Sequence, residues 1–292
     1  MALTVELAGF PIGIEAAADT RAALTYCAAY FAGFTRAAGD PVASVTIERA
    51  GGCDPARPAG SAVLEHRLTA HQLLQRVGRP IDLAVDAICA GCLDGCLAYC
   101  PAARSARLYL GGPSAAMYAP LYRLMWMFLA QALGDLGCFF VHAAAVAADG
   151  RGYLFIGDSG VGKSTLAANV QRGDVLADDG PLFTRMAGGG FAAHASPYHQ
   201  WMNGAAHGHR PNATRARIAA LYFLDRNRQP ANARLAPSRA VPMLLQRFVH
   251  FWGYLSTGAR LAAFDLFIDA CHNLPVYYRN VPKGVDALTL VK

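Results

Sequence analysis

One lysine in the interior of the chain constrains the fold more than any other feature. Lys and Arg together number 26, yet only three are lysines, and two of those, Lys283 and Lys292, lie near the C-terminus. The third, Lys163, stands in Gly157-Asp158-Ser159-Gly160-Val161-Gly162-Lys163-Ser164-Thr165, the pattern G-x-x-x-x-G-K-[ST]. Such a run leaves a strand, turns on its glycines and opens a helix. Gly157, Gly160 and Gly162 are expected to take positive φ and bring successive N–H groups to phosphate oxygens. Lys163 would neutralise β and γ phosphates as a point charge, Ser164 would enter the Mg²⁺ shell, and the residues from Gly157 to Thr165 would line the phosphate-bearing ligand. The bland alternative is a glycine-rich turn before a helix.

Composition narrows the class. A chain of 292 residues with 54% hydrophobic and 16% charged residues can bury a large core, which excludes a disordered chain. The net charge of +6 suits acidic ligands such as nucleotides, but it is too diffuse for nucleic-acid binding. The start, Met1-Ala2-Leu3-Thr4-Val5-Glu6, has neither the basic nor the long apolar part of a signal peptide. The most apolar stretch, 124–148, is broken by Gly134, Asp135 and Gly137, so a buried helix followed by a buried strand is expected, not a membrane span. A cytoplasmic protein with no nucleic-acid or membrane partner is predicted, with oligomerisation open.

Two domains are expected: a small N-terminal α+β domain over 1–112 and an α/β catalytic domain over 113–292, joined near Gly111-Gly112-Pro113. In the first, 3–7 and 44–48 read as strands and 20–37 as a helix. Cys89, Cys92, Cys96 and Cys100 suggest a metal site, but Asp94-Gly95 reads as a two-residue hairpin turn. That register sets Cys89 against Cys100, with Cys96 on their side and Cys92 on the other face, which favours reduced thiols. The second domain opens with a helix over about 115–136.

Next come apolar strands at 139–147 and 152–156 around the turn Asp149-Gly150. Counting back from the turn pairs Ala147 with Gly152 and brings His142 opposite Gly157, beside the mouth of the glycine loop. A strand that enters such a loop from an antiparallel hairpin implies a mixed sheet. A helix over 164–172 ended by Gly173 leads to a buried strand at 175–177, which delivers Asp178 and Asp179 at its C-terminal end. Adjacent carboxylates face different ways: one can meet Mg²⁺ near Ser164 and the other an acceptor, unless the pair is only a surface turn. The stretch from His194 to Arg217, with His199, His207, His209, Arg210 and Arg215, reads as a loop that either clamps an anion or is simply solvated. A return strand at 219–224 and packing helices at 242–255 and 261–268 complete the chain.

His142, the glycine loop, a short helix ending in Arg172-Gly173, and Leu176-Ala177-Asp178-Asp179 together resemble the catalytic core of HPr kinase/phosphorylase and its relatives, a core shared with phosphoenolpyruvate carboxykinases. Leu274-Pro275-Val276-Tyr277-Tyr278-Arg279 and Pro282 look like the closing strand of HPr-kinase-related proteins, including kinases of ribosomal peptide clusters such as those of lasso peptides. The resemblance implies a mixed-sheet P-loop kinase core using ATP and Mg²⁺. It implies phosphorylation of a hydroxyl, with a serine of a peptide or protein favoured. By position, Asp178 would be the acid/base carboxylate, His142 its neighbour, and Asp179 the metal-side partner of Ser164. The interval from Lys163 to Asp178 is shorter than is usual for the group. The Gly-Arg-Asn signature of true HPr kinase/phosphorylases has no counterpart, so neither HPr as acceptor nor phosphorylase activity is implied. A small-molecule or sugar hydroxyl kinase and a non-catalytic ATP-binding regulator are the competing readings.

Overall fold

The computed structural model describes residues 2–36, 39–51, 66–92, 94–111, 117–197, 214–225, 233–247, 252–280 and 286–291. The chain is mixed α/β and divides into two compact units. One comprises Met1–Leu136 with Phe251–Ala259, the other Gly137–His250 with Arg260–Lys292.

In the first unit the elements run β1 (Ala2–Leu7), β2 (Phe10–Ala16), α1 (Arg21–Tyr30), β3 (Ala43–Arg49), β4 (His66–Arg67), α2 (Ala70–Val77), β5 (Ile88–Cys92), β6 (Gly95–Cys100), β7 (Ser105–Leu110) and α3 (Tyr118–Gly134). Among the described residues the strands form a seven-stranded sheet in the order β1-β2-β3-β7-β6-β5-β4. The β2–β3 and β3–β7 pairs are parallel and the rest antiparallel. Helix α2 starts on a reciprocal cap, in which the Gln72 N–H donates to Thr69 Oγ1 and the Thr69 N–H donates to Gln72 Oε1, and it stops at left-handed Gly78. Its Leu73 and Val77 pack on Cys89, Cys96, Ala98 and Tyr109. Helix α3 is apolar nearly all round because it is buried nearly all round. It lies on the opposite face of the sheet, where Phe128 meets Tyr99 and the Tyr99 hydroxyl donates to Asp135 Oδ2 at 2.6 Å.

Two expectations are corrected in this unit. The β5–β6 hairpin pairs Cys92 with Gly95, Gly91 with Cys96 and Cys89 with Ala98, so Cys89 does not face Cys100. Gly95 belongs to the strand, not to the turn. A Cβ there would lie 2.7 Å from Leu124 Cδ1 and 3.0 Å from the Tyr109 carbonyl oxygen, so the glycine is required by the close approach of α3. Helix α3 belongs to the first unit, whereas the Gly-Gly-Pro reading assigned it to the second; Gly112 and Pro113 lie outside the described residues.

The second unit contains β8 (Cys138–Phe140), β9 (Ala143–Ala148), β10 (Arg151–Ile156), α4 (Lys163–Ala168), β11 (Asp174–Ala177), β12 (Leu182–Arg185), β13 (Phe191–His194), β14 (Arg215–Asp225), β15 (Ala233–Arg234), α5 (Pro237–Arg247), most of α6 (Thr257–Asn273) and β16 (Val276–Asn280). Its sheet follows the order β11-β9-β10-β14-β13-β12-β8, with β16 pairing β14 and β15. It is mixed, since β10–β14 and β14–β16 are parallel while β9–β10 and β9–β11 are antiparallel. The Asp149-Gly150 turn takes positive φ at both residues, 50° and 72°, and fixes the β9–β10 register from Arg151 against Ala148 to Ile156 against Ala143. One face of the sheet buries Val146, Phe155, Tyr222 and Leu224 with Val161, Leu166 and Ala167 from the loop and α4. On the side of α6, Phe267 packs on Phe139 and Phe183. Each fully buried aromatic of this kind contributes about 2 to 3 kcal/mol of transfer free energy.

Helix α4 ends at Ala168, with Asn169 as its cap, so the expected helix over 164–172 is shortened. Gly173 is not a cap: at φ +120° it passes so close to β9 that a Cβ would stand 2.4 Å from the Ala147 carbonyl oxygen. The expected loop from His194 to Arg217 is strand at both ends, in β13 and β14. His199, His207, His209 and Arg210 lie outside the described residues, as does Pro282. The helices expected at 242–255 and 261–268 are instead α5 and the longer α6. Among the described residues no helix is long and apolar enough to cross a membrane.

Candidate active site

Strand β10 ends at Ile156, and its parallel neighbour β14 carries Leu224 alongside the start of the loop. Gly157 is needed there for space, not for positive φ: a Cβ would come within 2.9 Å of Val161 Cγ1 and 3.0 Å of the Leu224 carbonyl oxygen. Gly160 and Gly162 do take left-handed φ, +79° and +108°, and a Cβ at Gly160 would meet nothing within 4 Å. The Val161 N–H donates to the Asp158 carbonyl at 3.2 Å, and Leu166 N–H to Gly162 at 2.8 Å begins the helical ladder. Val161 and Leu166 anchor the loop and helix in the core, while Asp158, Ser159, Gly160 and Thr165 are exposed.

Lys163 folds back beneath this loop. Its Nζ donates to the carbonyls of Gly157 at 2.8 Å and Asp158 at 3.2 Å, and the residue is only 5% exposed. Burial lowers the ammonium pKa, and the carboxylates of Asp179 and then Asp158 oppose that shift. Two of the three N–H donors of Lys163 thus go to backbone carbonyls.

The facing wall is a break shared by two neighbouring strand pairs. β11 lies on β9 and β12 lies on β8 in one common register, Ala177 with Ala145 and Leu182 with Phe140. Between them Ala143 N–H donates to the Asp179 carbonyl at 3.2 Å, and Val141 N–H to the Pro181 carbonyl at 3.0 Å. The buried Ser196 hydroxyl, just beyond β13, donates to the Gly180 carbonyl. This ladder brings the His142 and Asp179 side chains together: His142 Nε2 stands 3.2 Å from Asp179 Oδ1. Asp178, one residue upstream, is partly buried. The contact to His142 thus falls on Asp179, and Lys163 is held by the loop carbonyls of Gly157 and Asp158, with the Asp179 carboxylate acting on it only through its charge. Ser164 opens α4 beside Lys163 and is partly buried.

The loop fits a phosphate group. Open space lies over Gly160, the exposed Asp158-Ser159-Gly160 backbone is accessible, and the Lys163 ammonium is fixed below it. Among the described residues no three His, Cys, Asp or Glu side chains converge as a metal cluster. A cation at Ser164 and Asp179 would accordingly need phosphate oxygens or water to complete its shell.

Sequence reasoning missed Ser196, whose contact with Gly180 spans 16 residues and carries no local signal. It also missed the buried guanidinium of Arg279, which stacks on Tyr277 at 4.9 Å and Tyr222 at 5.7 Å and donates from Nε to the Leu290 carbonyl.

The second unit is a mixed α/β sheet in which a glycine loop with a buried lysine follows β10 and an aspartate pair follows β11. Residues 121–282, more than half of the chain, match the model of the family described as SynChlorMet cassette protein ScmC, and the chain belongs to that family. No curated protein matches. Among solved structures, the HPr(Ser) kinase/phosphatase from Coxiella burnetii matches at 13% identity with a TM-score of 0.32, over 52% of this chain and 85% of that one, a similarity too low to bear on the site.

Proposed function

We propose that this protein is an ATP-dependent kinase that phosphorylates a hydroxyl, with a serine of a peptide or protein, such as a ribosomal precursor peptide, as the favoured acceptor. The reading rests on a lysine buried under a glycine loop, its Nζ donating to the Gly157 and Asp158 carbonyls, together with an aspartate turn whose Asp179 Oδ1 lies 3.2 Å from His142 Nε2. A turn that served only to connect a strand and a helix would need neither a buried ammonium nor a carboxylate brought in from another strand.

MgATP, when bound, supplies the transferable phosphoryl group. The N–H groups from Asp158 to Lys163 and the Lys163 ammonium would hold phosphate oxygens, while Ser164 and Asp179 would hold the cation. His142 keeps Asp179 in place. Asp178 would accept the hydroxyl proton as the acceptor oxygen bonds to phosphorus and the bond to the ADP oxygen breaks. Membership of a cassette family favours an acceptor supplied by a companion product over a free metabolite.

Incubation with γ-labelled ATP, Mg²⁺ and peptides encoded beside the protein tests the proposal. Label should appear in a peptide as phosphoserine. Label confined to a metabolite would shift the acceptor class, and nucleotide binding without transfer to any acceptor would remove the kinase reading.

A further inference from the structure

At the far end of the second unit's sheet, three arginines share one face. Arg215 and Arg217 are two residues apart on β14 and so point the same way, and Arg151 at the start of β10 is the direct register partner of Arg217. Strand geometry spaces them by ~6.7 Å along β14 and ~4.8 Å across to β10. All three are exposed. Among the described residues none of them is in an ion pair, although Arg36, Arg79 and Arg185 all are. Asp149, in the turn two residues before Arg151, leaves it unpaired.

Like charges on neighbouring strands repel, and the surroundings do nothing to relieve this. The residues in register beside them, Ala192 next to Arg217 and Ala148 next to Arg151, are too small to screen the guanidinium groups. Gly190 leaves the room that the Arg217 side chain occupies, since a Cβ there would lie 2.9 Å from Arg217 Nη2. His194, the register partner of Arg215, is buried, and its burial and then Arg215 push its pKa down to about 4, so it stays neutral beside the cluster. Among the described residues the face is thus a concentration of forked donors whose nearest acid in sequence, Asp149, forms no ion pair with them.

From this we infer that Arg151, Arg215 and Arg217 form a docking face for an acidic, extended polypeptide segment. In an extended peptide, alternate side chains repeat at ~6.7 Å, the spacing of Arg215 and Arg217, and guanidinium forks bind carboxylates in bidentate pairs. The face lies at the start of β10, six residues before the glycine loop, a distance of ~20 Å. A docked segment therefore leaves the candidate active site open. A peptide fits better than a nucleic acid, because the face presents three charges and, among the described residues, no exposed aromatic platform.

The inference stands apart from the kinase reading, because it is tested without nucleotide. Fluorescence anisotropy of a labelled decaglutamate peptide should show saturable binding to the full chain at low salt, weakening as salt rises. The pair Arg215→Gln and Arg217→Gln should weaken it at least tenfold, and Arg151→Gln should weaken it independently. Arg234→Gln with Arg239→Gln removes the same charge from exposed positions elsewhere and should change it little, with circular dichroism melts confirming that every variant is folded. No saturable binding, equal loss in the control pair, or tighter binding of a single-stranded oligonucleotide than of the peptide would each overturn the assignment.

Discussion

Burial of the Lys163 ammonium disfavours its charge and lowers its pKa, a shift that the carboxylates of Asp179 and Asp158 oppose, while two loop carbonyls accept its hydrogen bonds. In the proposed kinase its role is to bind phosphate. Lys163→Met should therefore abolish nucleotide binding while moving the melting temperature of the ligand-free protein by only a few degrees, checked by calorimetry with and without MgATP. His194 sets a different test. It is neutral in the fold down to about pH 4 but takes a proton near pH 6.5 once unfolded, so between those values the unfolded chain binds more protons and stability falls as pH falls. Urea unfolding at pH 6.5 and pH 5 should show His194→Gln losing less stability than the parent, by on the order of 2 kcal/mol. At this scale the sequence was readable where chemistry demands a residue type, as at Lys163. It was not readable where packing does: the need for glycine at Gly157 comes from Leu224, which is distant in sequence.

The two Asp-Gly hairpin readings met different outcomes at the scale of elements. Asp149-Gly150 forms the expected turn because both residues can take left-handed φ, and it fixes the β9–β10 register as far as Ile156 against Ala143. Asp94-Gly95 does not, because Gly95 is claimed by tertiary packing under Leu124, which shifts the cysteine register by two residues. Gly95→Ala should accordingly destabilise the protein by ~1 to 3 kcal/mol in chemical denaturation, more than an exposed strand glycine would. Helix α2 went unread although Thr69, Gln72 and Gly78 mark both its ends. Helix α4 was read too long because Gly173, a good cap by type, serves a close approach to β9.

The division of the whole molecule follows contacts that no local pattern reports. The first unit takes in Phe251–Ala259, where the Ser256 hydroxyl donates to Asp135 Oδ1 at 2.7 Å across 121 residues. Helix α3, apolar on nearly every side, carries no signal of which unit it joins. The mixed sheet of the second unit was legible, because a hairpin feeding a glycine loop requires one. The clamp on the aspartate turn from Ala143, Val141 and Ser196 was not, since it depends on register through a strand break. That clamp fixes the backbone of the turn that carries Asp178 and Asp179, the residues proposed to act in phosphoryl transfer. The most direct measurement compares the parent with Asp178→Asn for ATP affinity and for rate of transfer from γ-labelled ATP to a peptide acceptor. Affinity should be unchanged and the rate at least ~100-fold lower in the variant. Equal rates in the two proteins, or tight ATP binding with no transfer by either, would contradict the proposed transfer.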